Sequence, residues 1–137
     1  MSMKQTAMEF FDACETGKGW DGCRNYCHDG ATFSAQADAL ADVTTLEGYT
    51  EWMKGLLVPI PNGSYELTCF AVDEERGTAI GAGVFKGTHT VDAGSPPTGK
   101  SAAADYCYVM TFDGDRISHM TKIWNDGHSL KQLGWAS

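Results

Sequence analysis

No apolar run in this 137-residue sequence approaches the ~20 residues that a membrane-spanning helix requires. Met1 to Phe10 also lacks the charged start and apolar centre of a secretory signal, so a cytoplasmic setting is expected. Basic residues are scarce. Ten Lys and Arg stand against 18 Asp and Glu, giving a net charge of −8 and a pI near 4.7. Such a chain repels phosphate backbones and anionic lipid, so neither nucleic acid nor a membrane surface is an expected partner. Cysteine is absent from the patterns that staple or ligate. Cys14, Cys23, Cys27, Cys69 and Cys107 are odd in number and spread over apparent core positions, which reads as reduced thiols. Cys23 and Cys27, followed by His28, make one close pair, whereas a finger-type zinc site needs two. No metal is expected, and no cofactor.

What remains is the makeup of one globular domain spanning residues 1–137. Its hydrophobic share of 42% suits a chain long enough to bury roughly two-thirds of its unfolded surface. Residues 3–16 carry a helically spaced apolar face of Ala7, Met8, Phe11, Ala13 and Cys14, stopped by Gly17 and Gly19. Trp20, Cys23, Tyr26 and Cys27 predict a second short helix that ends at Asp29-Gly30. Ala31 to Ala35 reads as a strand, and Gln36 to Val43 as a loop or irregular turn. Thr45 caps a third helix whose buried stripe is Tyr49, Trp52, Met53, Leu56 and Leu57, and Pro59 and Pro61 end it.

From Asn62-Gly63 onward the period switches to two, and four strands follow. They run over Tyr65 to Asp73, Thr78 to Val91, Ala102 to Phe112, and from about Arg116 to Asp126. Gly81, Gly83 and Gly87 in the second of these allow a sharp bend or the close approach of another group. Asp113-Gly114 is a hairpin signal before the last strand, and a short closing helix ends near Gln132-Leu133-Gly134. Helices followed by an antiparallel meander give an α+β domain.

That order, with Thr45-Leu-Glu-Gly48, Pro97-Thr-Gly-Lys100, Asp113-Gly114 and Gln132-Leu-Gly134, resembles the SnoaL-like branch of the nuclear-transport-factor-2-like superfamily over nearly the whole chain. The resemblance implies a conical barrel of strongly curved antiparallel sheet, with three helices on its concave side enclosing a pocket. It also implies chemistry of the polyketide cyclase or ketosteroid isomerase kind, in which a carboxylate removes a proton next to a carbonyl. The alternative is a non-catalytic pocket for a small apolar ligand. The family's acid stands about seven positions before the Gln of the closing motif. Here that position is Asn125, with Asp126 next to it.

On strand parity, Ile117, His119, Thr121, Ile123 and Asn125 share one face of the last strand, and that face is expected to line the pocket. His119, Asp105 on the preceding strand, and Asp126 are the candidate catalytic residues, because an acid or a histidine is needed to accept the proton. Parity turns Asp126 away unless the strand has ended and the chain displaces it into the cavity. Asn125, Tyr26, Thr121, Trp52 and Cys107 are the candidate substrate contacts, with Asn125 and Tyr26 able to donate to a carbonyl oxygen. Met120 and Trp124 fall on the opposite face and predict a homodimer through the sheet. The expected partner in the pocket is a small apolar or carbonyl-containing molecule.

Overall fold

The computed structural model describes residues 1–136, and among them are four α-helices and five strands. Helix α1 (Met3–Glu15) starts where the Ser2 hydroxyl accepts the Gln5 amide at 3.1 Å, and it buries Ala7, Phe10, Phe11 and Cys14. Helix α2 (Gly19–Cys23) is shorter than the sequence suggests. Residues 24–26 tighten into a 3₁₀ turn, and Cys27 already opens strand β1 (Cys27–Ala35). Helix α3 (Leu46–Leu56) begins as expected, with Thr45 Oγ1 accepting the Gly48 amide at 3.0 Å.

The meander is β2 (Ser64–Asp73), β3 (Thr78–Thr88), β4 (Ser101–Asp113) and β5 (Arg116–Trp124), followed by helix α4 (Asp126–Gln132). The last hairpin is shifted by one residue from the Asp113-Gly114 reading. Asp113 still pairs with Arg116, so Gly114 and Asp115 form the two-residue loop. Gly114, at φ 66°, supplies the positive angle that a II′ hairpin needs at its first central position.

The sheet order is β1-β5-β4-β3-β2. Strands β2 to β5 are antiparallel, as expected, but β1 lies parallel to β5. The whole meander separates these two strands, so no tight turn constrains their direction. The α+β architecture is the expected one, while the sheet stays open, with β1 and β2 as its edges. Helix α1 fills the concave side near β2 and β3, and α3 packs nearer β1.

Two glycines of β3 show what their missing side chains make room for. A Cβ on Gly81 would stand 2.8 Å from the Phe11 ring and 2.9 Å from the Phe70 ring. One on Gly83 would stand 2.8 Å from the Glu66 carbonyl oxygen and 3.3 Å from the Tyr106 hydroxyl. The space serves core side chains rather than a ligand. Gly81→Val should therefore cost ~1–3 kcal/mol through overpacking. It would be read as a lower urea midpoint at unchanged slope, and an unshifted midpoint would contradict this packing.

Strand parity breaks at a bulge in β5. Thr111 pairs with His119 and Phe112 with Ile117, leaving Ser118 without a partner on β4. Ile117 and Met120 are consequently both buried on the concave side, together with Lys122 and the half-buried Trp124. His119, Thr121 and Ile123 point to the convex side. This reverses the face assignment made from the sequence: Met120 and Trp124 belong to the interior and cannot form an exposed dimer patch, and the His119 row does not line the enclosed cavity.

Candidate active site

Between α3, the inner faces of β3 to β5, and α4 lies a cavity with about 60 Å³ of room for the centres of water molecules, inside an envelope of about 620 Å³. Its walls are mainly apolar, with Trp52, Met53, Leu56, Phe85, Ala104 and Trp124 prominent. Four polar side chains interrupt them: Glu15, Lys122, Tyr106 and Ser129, the last already accepting the Trp124 indole N–H at 3.0 Å.

The first three reach the cavity by ordinary secondary-structure geometry. Glu15 follows Ala7 and Phe11 at four-residue spacing, so it falls on the apolar stripe of α1, and it is only 2% exposed. Lys122 lies between Met120 and Trp124 on the inward face of β5 and is 6% exposed. Tyr106 occupies the inward face of β4, directly paired with Trp124. Burying a carboxylate and an ammonium is costly unless each is compensated.

Burial pushes the Glu15 carboxyl above the usual carboxylate range, opposed by the Lys122 charge and by the phenols of Tyr106 and Tyr108. Burial likewise lowers the Lys122 ammonium to about 8, against the pull of Glu15 and Cys14. None of the ion pairs among the described residues includes either group, so the two charges share the cavity lining without direct contact. Lys122 Nζ sits among four rings instead, at 4.3 Å from the centroid of Trp124, 5.1 Å from Tyr49, 5.3 Å from Trp52 and 5.6 Å from Tyr106. These π faces partly replace the lost water.

Glu15 Oε2 and the Tyr106 hydroxyl have no hydrogen-bond partner among the described residues. An unpartnered buried group costs about 1–3 kcal/mol, and groups left this way inside a cavity are free to engage a bound molecule. The phenols deeper in the wall are already occupied: Tyr49 and Tyr108 share a 2.7 Å hydrogen bond, and the Cys14 sulfur lies 3.8 Å from the Tyr108 oxygen. Two of the three buried side-chain oxygens without a partner among the described residues are thus at the cavity, the third being Glu9 Oε2 on α1. An ionised carboxylate, an ammonium and a phenol in an apolar enclosure can move a proton and stabilise a developing oxyanion.

Of the residues singled out from the sequence, Trp52 lines this cavity. Asp105, Cys107, Thr121 and Asn125 come together along an open groove beside β1 that also includes Ser34, Gln36 and Ile123 and shares Tyr106, Lys122 and Trp124 with the cavity. His119 lies on the convex face, with Nδ1 at 2.7 Å from Thr32 Oγ1 and Nε2 at 3.1 Å from Ser34 Oγ and 3.2 Å from Thr121 Oγ1. Asn125 caps α4, its side-chain oxygen accepting the His128 amide at 3.3 Å. Asp126 Oδ2 accepts the Ala39 amide at 2.8 Å and so ties the loop after β1 to the start of α4. Tyr26 rests beside Glu9 on α1, away from the cavity. Among the described residues no cluster of potential metal ligands forms, and no helix is long and apolar enough to cross a membrane.

The closing motif supplies the cavity's roof. Gln132 Oε1 accepts the Ala103 amide at 3.0 Å, Leu133 is buried, and Thr98 Oγ1 donates to the Leu133 carbonyl at 2.7 Å. His89, just past the end of β3, is buried. Its Nδ1 accepts from Trp135 Nε1 at 2.9 Å and from the Thr98 amide at 3.2 Å, while Nε2 lies 3.0 Å from the Val91 carbonyl. Leu130, Leu133 and Trp135 complete the lining from above.

Residues 7–120 match the SnoaL-like domain family. Among solved structures, IdmH of Streptomyces antibioticus, provisionally described as a polyketide cyclase, superimposes with a TM-score of 0.80 at 18% identity, over 98% of this chain and 99% of that one. A protein of Acidithiobacillus ferrooxidans with the same provisional description gives a TM-score of 0.74 at 20% identity over the full length of both chains. An NTF2-like protein of Burkholderia thailandensis gives 0.74 at 14% identity, over 97% and 98% of the two chains. At such identities the likeness establishes the fold. No curated protein matches the sequence.

Proposed function

Because the chain belongs to the SnoaL-like domain family, within the nuclear-transport-factor-2-like superfamily, we propose that its cavity catalyses proton abstraction next to a carbonyl group, leading to isomerisation or to an intramolecular aldol closure. The observation that carries this reading is the Glu15 carboxylate, buried with Oε2 unpartnered in a mainly apolar cavity that Lys122 and the Tyr106 hydroxyl also line. We place the base at Glu15 rather than at Asp126, His119 or Asp105, because Glu15 alone among these carboxylates and imidazoles lines the enclosed cavity. Glu15 takes the proton from carbon. Lys122 and Tyr106 donate to the enolate oxygen, and the carboxylic acid then returns the proton elsewhere on the enolate. The aldol variant instead joins the enolate carbon to a second carbonyl of the same molecule, in keeping with the cyclase descriptions of the structural relatives.

The test is deuterium uptake from solvent at the α-carbon of small enolisable ketones, cyclohexanone and phenylacetone among them, with wild-type protein and Glu15→Gln. Exchange that needs Glu15 supports the reading. Ligand binding without exchange in either protein overturns it and leaves the non-catalytic binding pocket.

We also propose a cytoplasmic setting, in keeping with five unpaired cysteines, three of them buried. Self-association is proposed through the convex face. Cys69, Ala82, Cys107 and Ile123 lie in one cross-strand row, and Ala71, Ile80, Val109 and Thr121 in the next. Ile80 is 41% exposed and Ile123 60%, so this largely apolar sheet surface is open to solvent in a single chain. Light scattering at micromolar concentration should give a dimer mass, and Ile80→Asp with Ile123→Asp a monomer. A wild-type monomer would refute the dimer.

A further inference from the structure

The reading above uses Lys122 only as a donor, and its surroundings suit it for more. The side chain is buried, belongs to none of the ion pairs among the described residues, and ends inside a ring of Trp52, Trp124, Tyr49 and Tyr106 in a cavity whose described lining holds one carboxylate, Glu15. A structural lysine of β5 would send its ammonium to solvent or to a partner carboxylate. This one is held in an apolar cavity, where a neutral amine is less disfavoured than at the surface.

We propose that Lys122 is a nucleophile, condensing with the carbonyl of a small aldehyde or ketone to form an imine in this cavity. The proposal rests on the proton-transfer reading of the same site and narrows its substrate class, since esters and carboxylic acids do not form imines.

The step balances without any further reactant. Glu15 first takes a proton from the Lys122 ammonium. The neutral nitrogen attacks the carbonyl carbon, the C–O π pair moves to oxygen, and Glu15 gives its proton to that oxygen while taking one from the nitrogen. Glu15 then protonates the hydroxyl, which leaves as water while the nitrogen lone pair forms the C=N⁺ bond. In sum, ammonium plus carbonyl gives iminium plus water, and hydrolysis reverses it. The iminium carries the same single positive charge as the ammonium, so the four π faces and the Glu15 carboxylate that stabilise one also stabilise the other. It acidifies the adjacent C–H more than a hydrogen bond to oxygen would, which gives Glu15 its proton to remove.

The amine's availability agrees with this chemistry. With the ammonium lowered to about 8, about a tenth of Lys122 is neutral at pH 7, against well under about 0.1% for an exposed lysine of ordinary pKa. The cavity volume, about 60 Å³, favours small one-ring or acyclic carbonyl compounds over fused-ring substrates unless the α4 roof moves.

The experiment treats wild-type protein at pH 7 with phenylacetaldehyde or cyclohexanone and sodium cyanoborohydride, followed by intact mass and peptide mapping. The expected result is a single adduct, of the probe's mass less one oxygen, on Lys122. It should form at least about 10-fold faster there than on any exposed lysine, and it should be absent from Lys122→Arg and Lys122→Met. Mapping on the wild type keeps the test valid if a variant folds poorly. No adduct on Lys122, or modification spread evenly over the lysines, overturns the proposal. If Glu15-dependent exchange persists in Lys122→Arg without any imine, the inference fails while the proton-transfer reading stands. An imine on Lys122 with no α-exchange sustains the inference and fails the proton-transfer reading instead.

Discussion

Glu15→Gln is expected to lower α-proton exchange about 100-fold or more, because an amide cannot accept a proton from carbon and general-base catalysis is commonly worth that much. Gln is close to isosteric, so binding of the same ketones, followed through quenching of Trp52 and Trp124, should change little. The pH profile gives an independent reading. Glu15 works as a base only when ionised, and burial raises its pKa above the ordinary carboxylate value. The rate should therefore fall with acid at a higher pH than the roughly 4.3 of a free glutamate. A profile that is flat down to that value, or a Glu15→Gln protein with undiminished exchange, would remove Glu15 from the mechanism.

Much of the fold was legible because local signals and burial agreed. Thr45 caps α3 where a cap was expected, and four strands follow Asn62-Gly63 in a meander. Ala7, Phe11 and Cys14 of the expected α1 stripe are buried, although Met8 is exposed and Phe10 is buried instead. The site was less legible, for three physical reasons. First, the two faces of β5 are similar in polarity along the sequence, and nothing local marks which one the helices cover. Second, the Ser118 bulge breaks period-two reasoning at the point where it begins, placing Ile117 and Met120 on the same side. Third, a charged residue on an otherwise apolar face reads as solvated.

Yet that last pattern was the available signal. Glu15 sits four residues after Phe11, and Lys122 alternates with Met120 and Trp124, so each interrupts a buried stripe with a charge, and the two charges have opposite sign. A pair of that kind on two elements that must pack together is a candidate site before any family motif is counted. The family position, by contrast, led to Asn125 and Asp126, whose side chains here cap α4 and hold the loop after β1. Parity and the motif pointed to the convex face, while the unpartnered Glu15 and Tyr106 oxygens lie on the concave one.

A site made of two buried opposite charges should weigh on stability, and removing both should raise it. Glu15→Leu with Lys122→Met replaces the pair by apolar side chains of similar volume, and the double variant is expected to be ~1–4 kcal/mol more stable than wild type at pH 7. Its midpoint temperature should rise by several degrees. Lys122→Met alone should gain less, or lose, because it leaves the Glu15 carboxylate buried without its countercharge.

The signs with pH follow from the two directions of shift. Lys122 is lowered from 10.5 to about 8 on folding, so its penalty, ~3 kcal/mol, is complete below pH 8 and is relieved as pH rises towards 10.5. Glu15 is raised, so its penalty is absent at pH values below the unfolded carboxylate range and grows as pH rises through the folded pKa. The advantage of the double variant should accordingly be greatest near neutrality and shrink towards either extreme. Urea unfolding of wild type, both single variants and the double variant at pH 4, 7 and 10 measures all of this. A double variant no more stable than wild type at pH 7 would mean that the Glu15 and Lys122 charges are not desolvated as the structure places them.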